Sequence, residues 1–394
     1  MQIYLDYSAT TPTRPEAIAA MHSAMEAHWG NASSLHEWGN RAAIALERAR
    51  MQVASLINAP TAQSIVFTAG GSEADNLAVL GTAHHAEHLS GRFAGPRHLI
   101  LSAVEHSAVA EPARQLEAQG WQVTRLPVDK RGALNPEQLR DALQDNTVLV
   151  SIIYGQSEVG TLQPIAELGA IAQAHGVLFH TDAVQVAGRL PIDVQQLPVD
   201  LLSLSSHKIY GPQGAGALYI KPGTPLPTAI IHGGGQEQGL RSGTQAIPNI
   251  VGFGIAAELA AQEMPTETLR LIHLRDRLFA QLADVPELVP TGHPRHRLPH
   301  HISFCLPKGE LTGKALVRQM NLAGIGVSAG SACHSGQLSP SPILQAMGYG
   351  DRAATSGIRL TLGRHTSEAD VDWSALVLKQ ILARILPATP ALQV

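Results

Sequence analysis

Short apolar runs alternate with longer amphipathic segments along the first two thirds of the chain. Runs rich in Val, Ile and Leu predict buried strands, and apolar residues spaced three and four apart predict helices. Strands are predicted at 64–68, 98–102, 122–126, 148–153, 176–180, 199–205 and 215–220, and helices at 41–56, 73–80, 108–118, 136–143 and 165–175. Such alternation predicts an α/β fold with a mostly parallel sheet that helices cover on both faces.

The pattern changes after about Ile250. A long helix is predicted at 251–282, and a region rich in Pro and His follows at 290–301. Strands at 302–306 and 357–362, with helices between and after them, predict a smaller α+β domain. We therefore expect a large domain at 16–260 and a small domain at 261–394, with residues 1–15 packing against the small domain. A chain of 394 residues fits two such domains.

Several polar residues lie at or just after the ends of predicted strands. Ligands of open parallel sheets bind at the carboxyl ends of the strands, because loops from several strands meet there. Residues far apart in sequence are therefore expected on one rim of the sheet: Ser72, His106, Ser157, Asp182 and Lys208.

Lys208 carries the most specific chemistry of this set. It follows a buried strand, where the desolvation of an amine is costly, so a function is expected there. A lysine that forms a Schiff base, with a carboxylate to hold a pyridinium nitrogen, is the pair that pyridoxal 5′-phosphate (PLP) requires. Asp182 can supply the carboxylate, and Gln185 is close enough to reach the same ring. Taken singly, Lys208 also fits a surface turn and Asp182 a helix cap.

Two further segments suit the binding of anions. Gly70 and Gly71, just before Ser72, can bring backbone N–H groups close to a phosphate, although a plain turn explains the same glycines. Arg359 lies within a predicted strand among aliphatic residues, which suits bidentate capture of a carboxylate. The alternative for Arg359 is a structural ion pair.

The two cysteines have different surroundings. Cys333 lies in a segment, 328–336, that has no large apolar residue, so we expect an exposed and reactive thiol whose pKa His334 lowers. Cys305 lies in an alternating apolar run and is expected to be a small core residue. Two cysteines cannot form a disulfide framework for a chain of this size, which favours a reduced, cytoplasmic compartment.

Composition excludes several classes of function. The net charge is −4 and no segment concentrates Lys or Arg, so nucleic acid is not an expected partner. The sequence contains no run of membrane-spanning length and no signal-peptide pattern at Met1, so we expect no membrane partner. His84, His85 and His88 cluster on one predicted helix, but they lack acidic or Cys partners, and we expect no metal there.

With these residues assembled, the chain resembles the cysteine desulfurases of the NifS/IscS type. These are class V PLP-dependent enzymes with the type I aminotransferase fold. The long segment around Cys333 resembles group I of this family rather than the short-loop SufS type. The matching segments extend over nearly the whole chain: 4–12, 30–31, 73–76, 105–106, 182–185, 205–212, 232–237, 241–244, 331–333 and Arg359.

The resemblance implies a role for each matching residue. Lys208 carries the cofactor and moves protons, and His106 stacks on the ring and assists proton transfer. Arg359, with Asn31, binds the substrate carboxylate, and Cys333 attacks the substrate sulfur. The remaining cofactor ligands implied are Asp182 at the pyridinium nitrogen, Gln185 and Ser157 at the ring hydroxyl, and Gly71, Ser72, Ser205, His207 and, from the second subunit of a homodimer, Thr244 at the phosphate.

The implied reaction converts L-cysteine to L-alanine and leaves a persulfide on Cys333. The sulfur then passes to an acceptor protein, an iron–sulfur scaffold or a sulfur carrier. Ser157 departs from the family, which usually has Asn at this position. One alternative is another PLP enzyme on the same fold, either an aminotransferase or a cysteine, cystine or selenocysteine lyase. The other is a sulfur carrier or assembly partner with an inactive cofactor site.

Overall fold

The computed structural model describes residues 2–87, 96–307, 311–330 and 339–385. Cys333, His334 and His88 lie outside the described residues, so the predictions that concern them stay predictions. In the part of the chain that the structure describes, no helix is both long and apolar enough to cross a membrane.

The elements follow the predicted alternation. The strands are β1 Ile3–Tyr4, β2 Ile65–Thr68, β3 His98–Ser102, β4 Gln122–Leu126, β5 Thr147–Ile153, β6 Leu178–Asp182, β7 Leu201–Ser205, β8 Gly216–Ile220, β9 Val289–Pro290, β10 His301–Cys305, β11 Ile325–Gly326, β12 Ser328–Ala329 and β13 Ile358–Thr361. The helices are α1 Pro15–Ala27, α2 Glu37–Leu56, α3 Gly71–Asn76, α4 Thr82–Glu87, α5 Ser107–Ala118, α6 Pro136–Ala142, α7 Ile165–Ala174, α8 Ile247–Leu282, α9 Gly313–Leu322, α10 Pro342–Ala346, α11 Asp351–Thr355 and α12 Glu368–Ile385. A π-helical turn, Leu77–Gly81, joins α3 to α4.

Seven strands form the large sheet in the order β2-β8-β7-β6-β5-β3-β4. All neighbouring pairs are parallel except those of β8, which is antiparallel to both β2 and β7. The prediction of a mostly parallel sheet is therefore confirmed. Because β8 reverses direction between two strands of the same sense, β2 points the same way as β7. The carboxyl ends of β2, β3, β5, β6 and β7 therefore share one edge.

Both faces of the large sheet are buried, which explains the nearly continuous apolar strands. In β3, Ile100 packs into a core that includes Leu46 of α2 and Phe253 of α8. Leu99 and Leu101, on the other face, pack into a second core beneath α3, α4 and α5. The helices thus form layers on both sides of the sheet.

A second sheet, β12-β13-β10-β9, is antiparallel. Its core includes Ile302, Leu360 and Leu378, and also Ile3 and Leu5 from the start of the chain. Strand β1 pairs in parallel with β11, so the first residues lie beside this sheet. The expected domain boundary near residue 260 lies inside α8, because this helix extends from the large core into the small one.

Candidate active site

The polar residues that sequence reasoning placed on one rim arise from neighbouring strand ends. Asp182 is the last residue of β6, and Lys208 ends a 3-10 turn that directly follows β7. His106 is the N-cap of α5 just beyond β3, and Ser72 lies in the first turn of α3 just beyond β2. The structure brings them to the common edge because their strands run in the same direction.

The Lys208 amine lies under a backbone segment near the start of the chain. Its Nζ donates to the carbonyl oxygen of Ser8 at 2.6 Å and to that of Ala9 at 2.7 Å. Burial, followed by the positive charges of Arg189 and Arg359, lowers the pKa of Lys208 to about 8. About a tenth of the amine is therefore neutral at pH 7, far more than for an ordinary lysine, and this fraction is nucleophilic and basic.

Asp182 is a buried carboxylate close to two bases. Its Oδ1 accepts a hydrogen bond from Val184 N at 2.9 Å. Burial raises the pKa of Asp182, while the charges of His106 and Lys208 oppose that rise. A cation near Asp182, such as a protonated pyridine nitrogen, would favour its ionised form.

Gln185 and His106 lie beside this carboxylate. Gln185 donates from Nε2 to Ser8 O at 2.9 Å, but its buried Oε1 has no partner among the described residues. His106 accepts at Nδ1 from Ala108 N at 3.1 Å, so a neutral ring carries its proton on Nε2. Burial lowers the pKa of His106, which favours this neutral ring.

A cleft of about 550 Å³ opens next to Lys208, since its lining includes His207 and also Ala9, whose carbonyl oxygen accepts from Lys208 Nζ. Gly71 borders it, and a Cβ at this position would lie 2.8 Å from Val184 Cγ2, so only glycine fits without a shift. Desolvation lowers the pKa of His207 to about 4, and its Nδ1 lies 3.0 Å from Thr10 Oγ1. The lining also includes Gly70, Ser72 and Ser205.

Arg359 lies in the middle of β13, on the small sheet. Its Nη2 donates to Asp6 Oδ1 at 2.7 Å, and its Nη1 donates to the carbonyl oxygen of Ser157 at 3.0 Å. The ion pair that the sequence left open as an alternative is therefore present, and its acid is Asp6. Arg359 Nε is buried and has no partner among the described residues.

Within the part of the single chain that the structure describes, the side chains of three predicted site residues form no hydrogen bond with the groups described above: Ser157, Asn31 and Thr244. Ser157 reaches Arg359 through its backbone oxygen, not through its side chain. Asn31 and Thr244 are exposed, and neither is among the described residues that line the cleft. The Asn31 side chain instead accepts from Ser33 N at 2.9 Å.

Sequence reasoning missed a buried polar layer beneath Asp182. His180 lies between the hydroxyls of Ser151 and Ser203, at 2.8 and 3.0 Å, and 3.7 Å from the buried carboxylate of Asp75. Burial and the charge of Asp182 raise the pKa of Asp75 well above its ordinary value. The available signal was His180, a polar residue inside an apolar strand two positions before Asp182.

The site suits PLP on structural grounds. The buried Ser205 Oγ and Gln185 Oε1 have no hydrogen-bond partner among the described residues. Orphaned buried polar atoms are rare, and the phosphate and ring hydroxyl of PLP would supply partners for these two. The glycine-lined cleft, the partly neutral lysine and the buried acid have the donors and charges that this group needs.

The family model "Aminotransferase class-V" matches residues 3–373. The chain therefore belongs to the class V aminotransferases, whose enzymes depend on PLP. Its similar curated relatives are named cysteine desulfurase IscS. The relative from Dictyoglomus turgidum is 41% identical over 390 residues, which cover 99% of this chain and 96% of the relative. The relative from Pseudomonas entomophila is 44% identical over 395 residues, which cover 99% and 95%.

A solved structure described as a NifS-like protein has the same fold. It superimposes with a TM-score of 0.89 at 33% identity, and the match covers 98% of this chain and 100% of that one. The predicted family, the type I fold, the PLP cofactor and the enzyme class are thereby confirmed.

Proposed function

We propose that this protein is a desulfurase that takes sulfur from L-cysteine, forms a persulfide on Cys333 and releases L-alanine. The observation that carries this proposal is the half-buried amine of Lys208, which donates to the carbonyl oxygens of Ser8 and Ala9. The same segment of the chain binds Gln185, three residues after Asp182, through Ser8 O, and binds Arg359 through Asp6. A carboxylate for the cofactor and a guanidinium for the substrate thus flank one reactive amine. The names of the full-length relatives support L-cysteine as the substrate.

The residues that would hold PLP divide between its two ends. Lys208 would attach it covalently, Asp182 would hold the ring nitrogen and His106 the ring face. Gln185 would contact the ring hydroxyl through Oε1, which is buried and has no partner among the described residues. The phosphate would lie among Gly71, Ser72, Ser205 and His207. When bound, the cofactor withdraws electrons from the substrate and so makes its Cα and Cβ bonds reactive.

Proton transfer is assigned to two groups of this chain. Lys208, with a pKa of about 8, can accept and return a proton near neutral pH. His106 has its Nδ1 occupied by Ala108 N, so only its Nε2 is available to exchange a proton. The carboxylate of the amino acid would meanwhile be held at Arg359.

The sulfur transfer is assigned to Cys333. Its thiolate attacks the sulfur of the bound substrate, the S–S bond forms and the carbon–sulfur bond of cysteine breaks. The carbon fragment keeps the electron pair, takes up a proton and leaves as L-alanine. Cys305 is unsuited to this step, because it is buried in β10 and desolvation raises its pKa to about 11.

The finer assignments of partner and location belong to the same proposal. The persulfide would pass to an acceptor protein, an iron–sulfur scaffold or a sulfur carrier. We propose a cytoplasmic homodimer in which Thr244 reaches the phosphate of the neighbouring subunit. The exposure of Thr244 in the single chain is compatible with this arrangement.

The test is an assay of purified protein with L-cysteine in which alanine and protein-bound persulfide are measured together. We expect Cys333→Ala to bind PLP and to keep the absorbance of the bound cofactor, but to form neither alanine nor persulfide. Cys305→Ala is the matched control, because it removes the other thiol and should retain both products. Full alanine formation by Cys333→Ala would exclude the persulfide mechanism and favour a lyase. A colourless protein that takes up no PLP would instead indicate a carrier.

A further inference from the structure

The guanidinium of Arg359 is only partly satisfied. The residue is 8% exposed, and its two terminal nitrogens donate to Asp6 and to the Ser157 carbonyl. Its Nε, equally buried, donates to nothing among the described residues. A buried donor without an acceptor is costly, so this edge of the guanidinium needs an anion or a polar atom. A substrate carboxylate that binds at Nε would therefore share the Arg359 guanidinium with the carboxylate of Asp6.

Asp6 is held in place and cannot easily withdraw. Its backbone oxygen accepts from the Tyr4 hydroxyl and from Ala9 N, both at 3.0 Å. On either side, Leu5 O accepts from Thr361 N at 2.7 Å and Tyr7 N donates to Thr361 O at 3.4 Å. These bonds tie the segment to β13 next to Arg359. The carboxylate of Asp6 is therefore a fixed charge of the site.

We propose that Asp6 is a specificity-determining residue that shares Arg359 with the substrate carboxylate, so that the substrate binds against a fixed negative charge. This inference rests on the proposed function, which assigns the substrate carboxylate to Arg359. Two carboxylates on one guanidinium repel each other, so Asp6 weakens the binding of every amino acid. Asp6 also repels ligands that carry a second negative charge, and this repulsion discriminates against them in favour of amino acids with a single carboxylate. The opposite role, an anchor that orients Arg359, predicts the opposite effect of its removal.

The experiment measures equilibrium binding of L-alanine to the PLP-loaded protein through the absorbance of the bound cofactor. L-Alanine has the carboxylate but no sulfur, so Cys333 and turnover do not enter the measurement. In Asp6→Asn the amide keeps the size of the side chain and an oxygen for Arg359 while it removes the charge. We expect L-alanine to bind about two- to fivefold more tightly, the scale of partly exposed charge pairs.

Asp372→Asn is the matched control. It neutralises an aspartate that also pairs with an arginine, Arg277, at 2.7 Å, but on α12 at the surface. The control should bind L-alanine like the unmodified protein. Asp6→Glu, which keeps the charge, should show none of the gain. If Asp6→Asn does not fold, Asp6→Ser takes its place with the same expected direction.

Unchanged L-alanine binding in the folded, charge-neutral variant would overturn the proposal. Weaker binding would also overturn it and would make Asp6 an anchor. Arg359→Gln separates this failure from a failure of the proposed function. Loss of L-alanine binding in Arg359→Gln supports the carboxylate assignment whatever Asp6 does. Unchanged binding in Arg359→Gln would overturn that assignment, and the inference with it. Tighter binding in Asp6→Asn would stand even if the protein formed no persulfide.

Discussion

A buried ion pair fixes the loop after β8 to the strand that leads into the glycine cleft. Glu237 Oε2 accepts from Arg50 Nη1 at 2.6 Å and from Phe67 N at 2.8 Å. Its Oε1 accepts from Arg50 Nη2 at 2.9 Å and from Gln245 Nε2 at 3.2 Å. The side chains of Arg50 and Glu237 are 7% and 1% exposed. Each carboxylate oxygen of Glu237 therefore receives two donors in a site without solvent.

The change Glu237→Gln replaces one of these oxygens with an NH₂ group. In either orientation of the amide, that NH₂ faces two donors, and Arg50 keeps only the half-exposed carboxylate of Glu47 as a charged partner. Breaking one side of a buried pair costs about 3–5 kcal/mol. Two lost hydrogen bonds to a charged group, at about 1.5–3 kcal/mol each, give the same scale. We therefore expect the free energy of unfolding to fall by about 3–5 kcal/mol.

Urea unfolding of the two proteins measures this difference from the shift of the midpoint at constant slope. Glu117→Gln is the control, since its pair with Arg125 is 46% and 39% exposed and should contribute less than about 1 kcal/mol. The double variant Arg50→Met with Glu237→Gln should recover stability, because it leaves no buried unpaired charge; Glu47, the other partner of Arg50, is 49% exposed and stays solvated. A loss below about 1 kcal/mol in Glu237→Gln, or no recovery in the double variant, would refute this reasoning.

Two further predictions concern ionisation. Arg189→Gln should raise the pKa of Lys208 above about 8, because the charge of Arg189 helps to lower that pKa. The pH midpoint at which an amine reagent labels Lys208 in the cofactor-free protein measures the pKa. An unchanged midpoint in Arg189→Gln would contradict the prediction. Burial raises the pKa of Glu105 from its ordinary value of 4.5 to about 8, so its contribution to stability is complete below pH 4.5 and is lost as the pH rises through 8. Glu105→Gln should therefore gain stability relative to the unmodified protein between pH 5 and pH 8 in urea unfolding, and a constant difference would exclude this.

The sequence predicted the part of the site that depends on strand ends. Asp182 and Lys208 follow apolar runs, and the rule that parallel strands share a ligand-binding edge was enough to bring them together. Helix α6 likewise begins at a local signal, the capping box formed by Asn135 and Gln138.

What the sequence did not predict depends on contacts between distant segments. Asp6 meets Arg359 only because β1 pairs with β11 and the following residues continue along β13, a pairing that no local pattern indicates. Helix α1 was not predicted either. Its exposed apolar residues Ile18 and Met25 place apolar side chains on the solvent face, so the one-sided apolar pattern that identifies an amphipathic helix is weak. The burial of Asp75 was not predicted either, because it depends on the packing of α3 against the large sheet.

Helix α8 belongs to both hydrophobic cores and so joins the two parts of the site. Ala260 lies in the large core and Leu271 in the small core, about 16 Å apart along one continuous helix. Lys208 follows a strand of the large sheet, whereas Arg359 belongs to the small sheet. Pro265, which lacks an N–H, lies between the two cores and is the weakest point of this helix. A bend of α8 at Pro265 would therefore move Arg359 relative to Lys208, although the helix forms no part of the cleft lining.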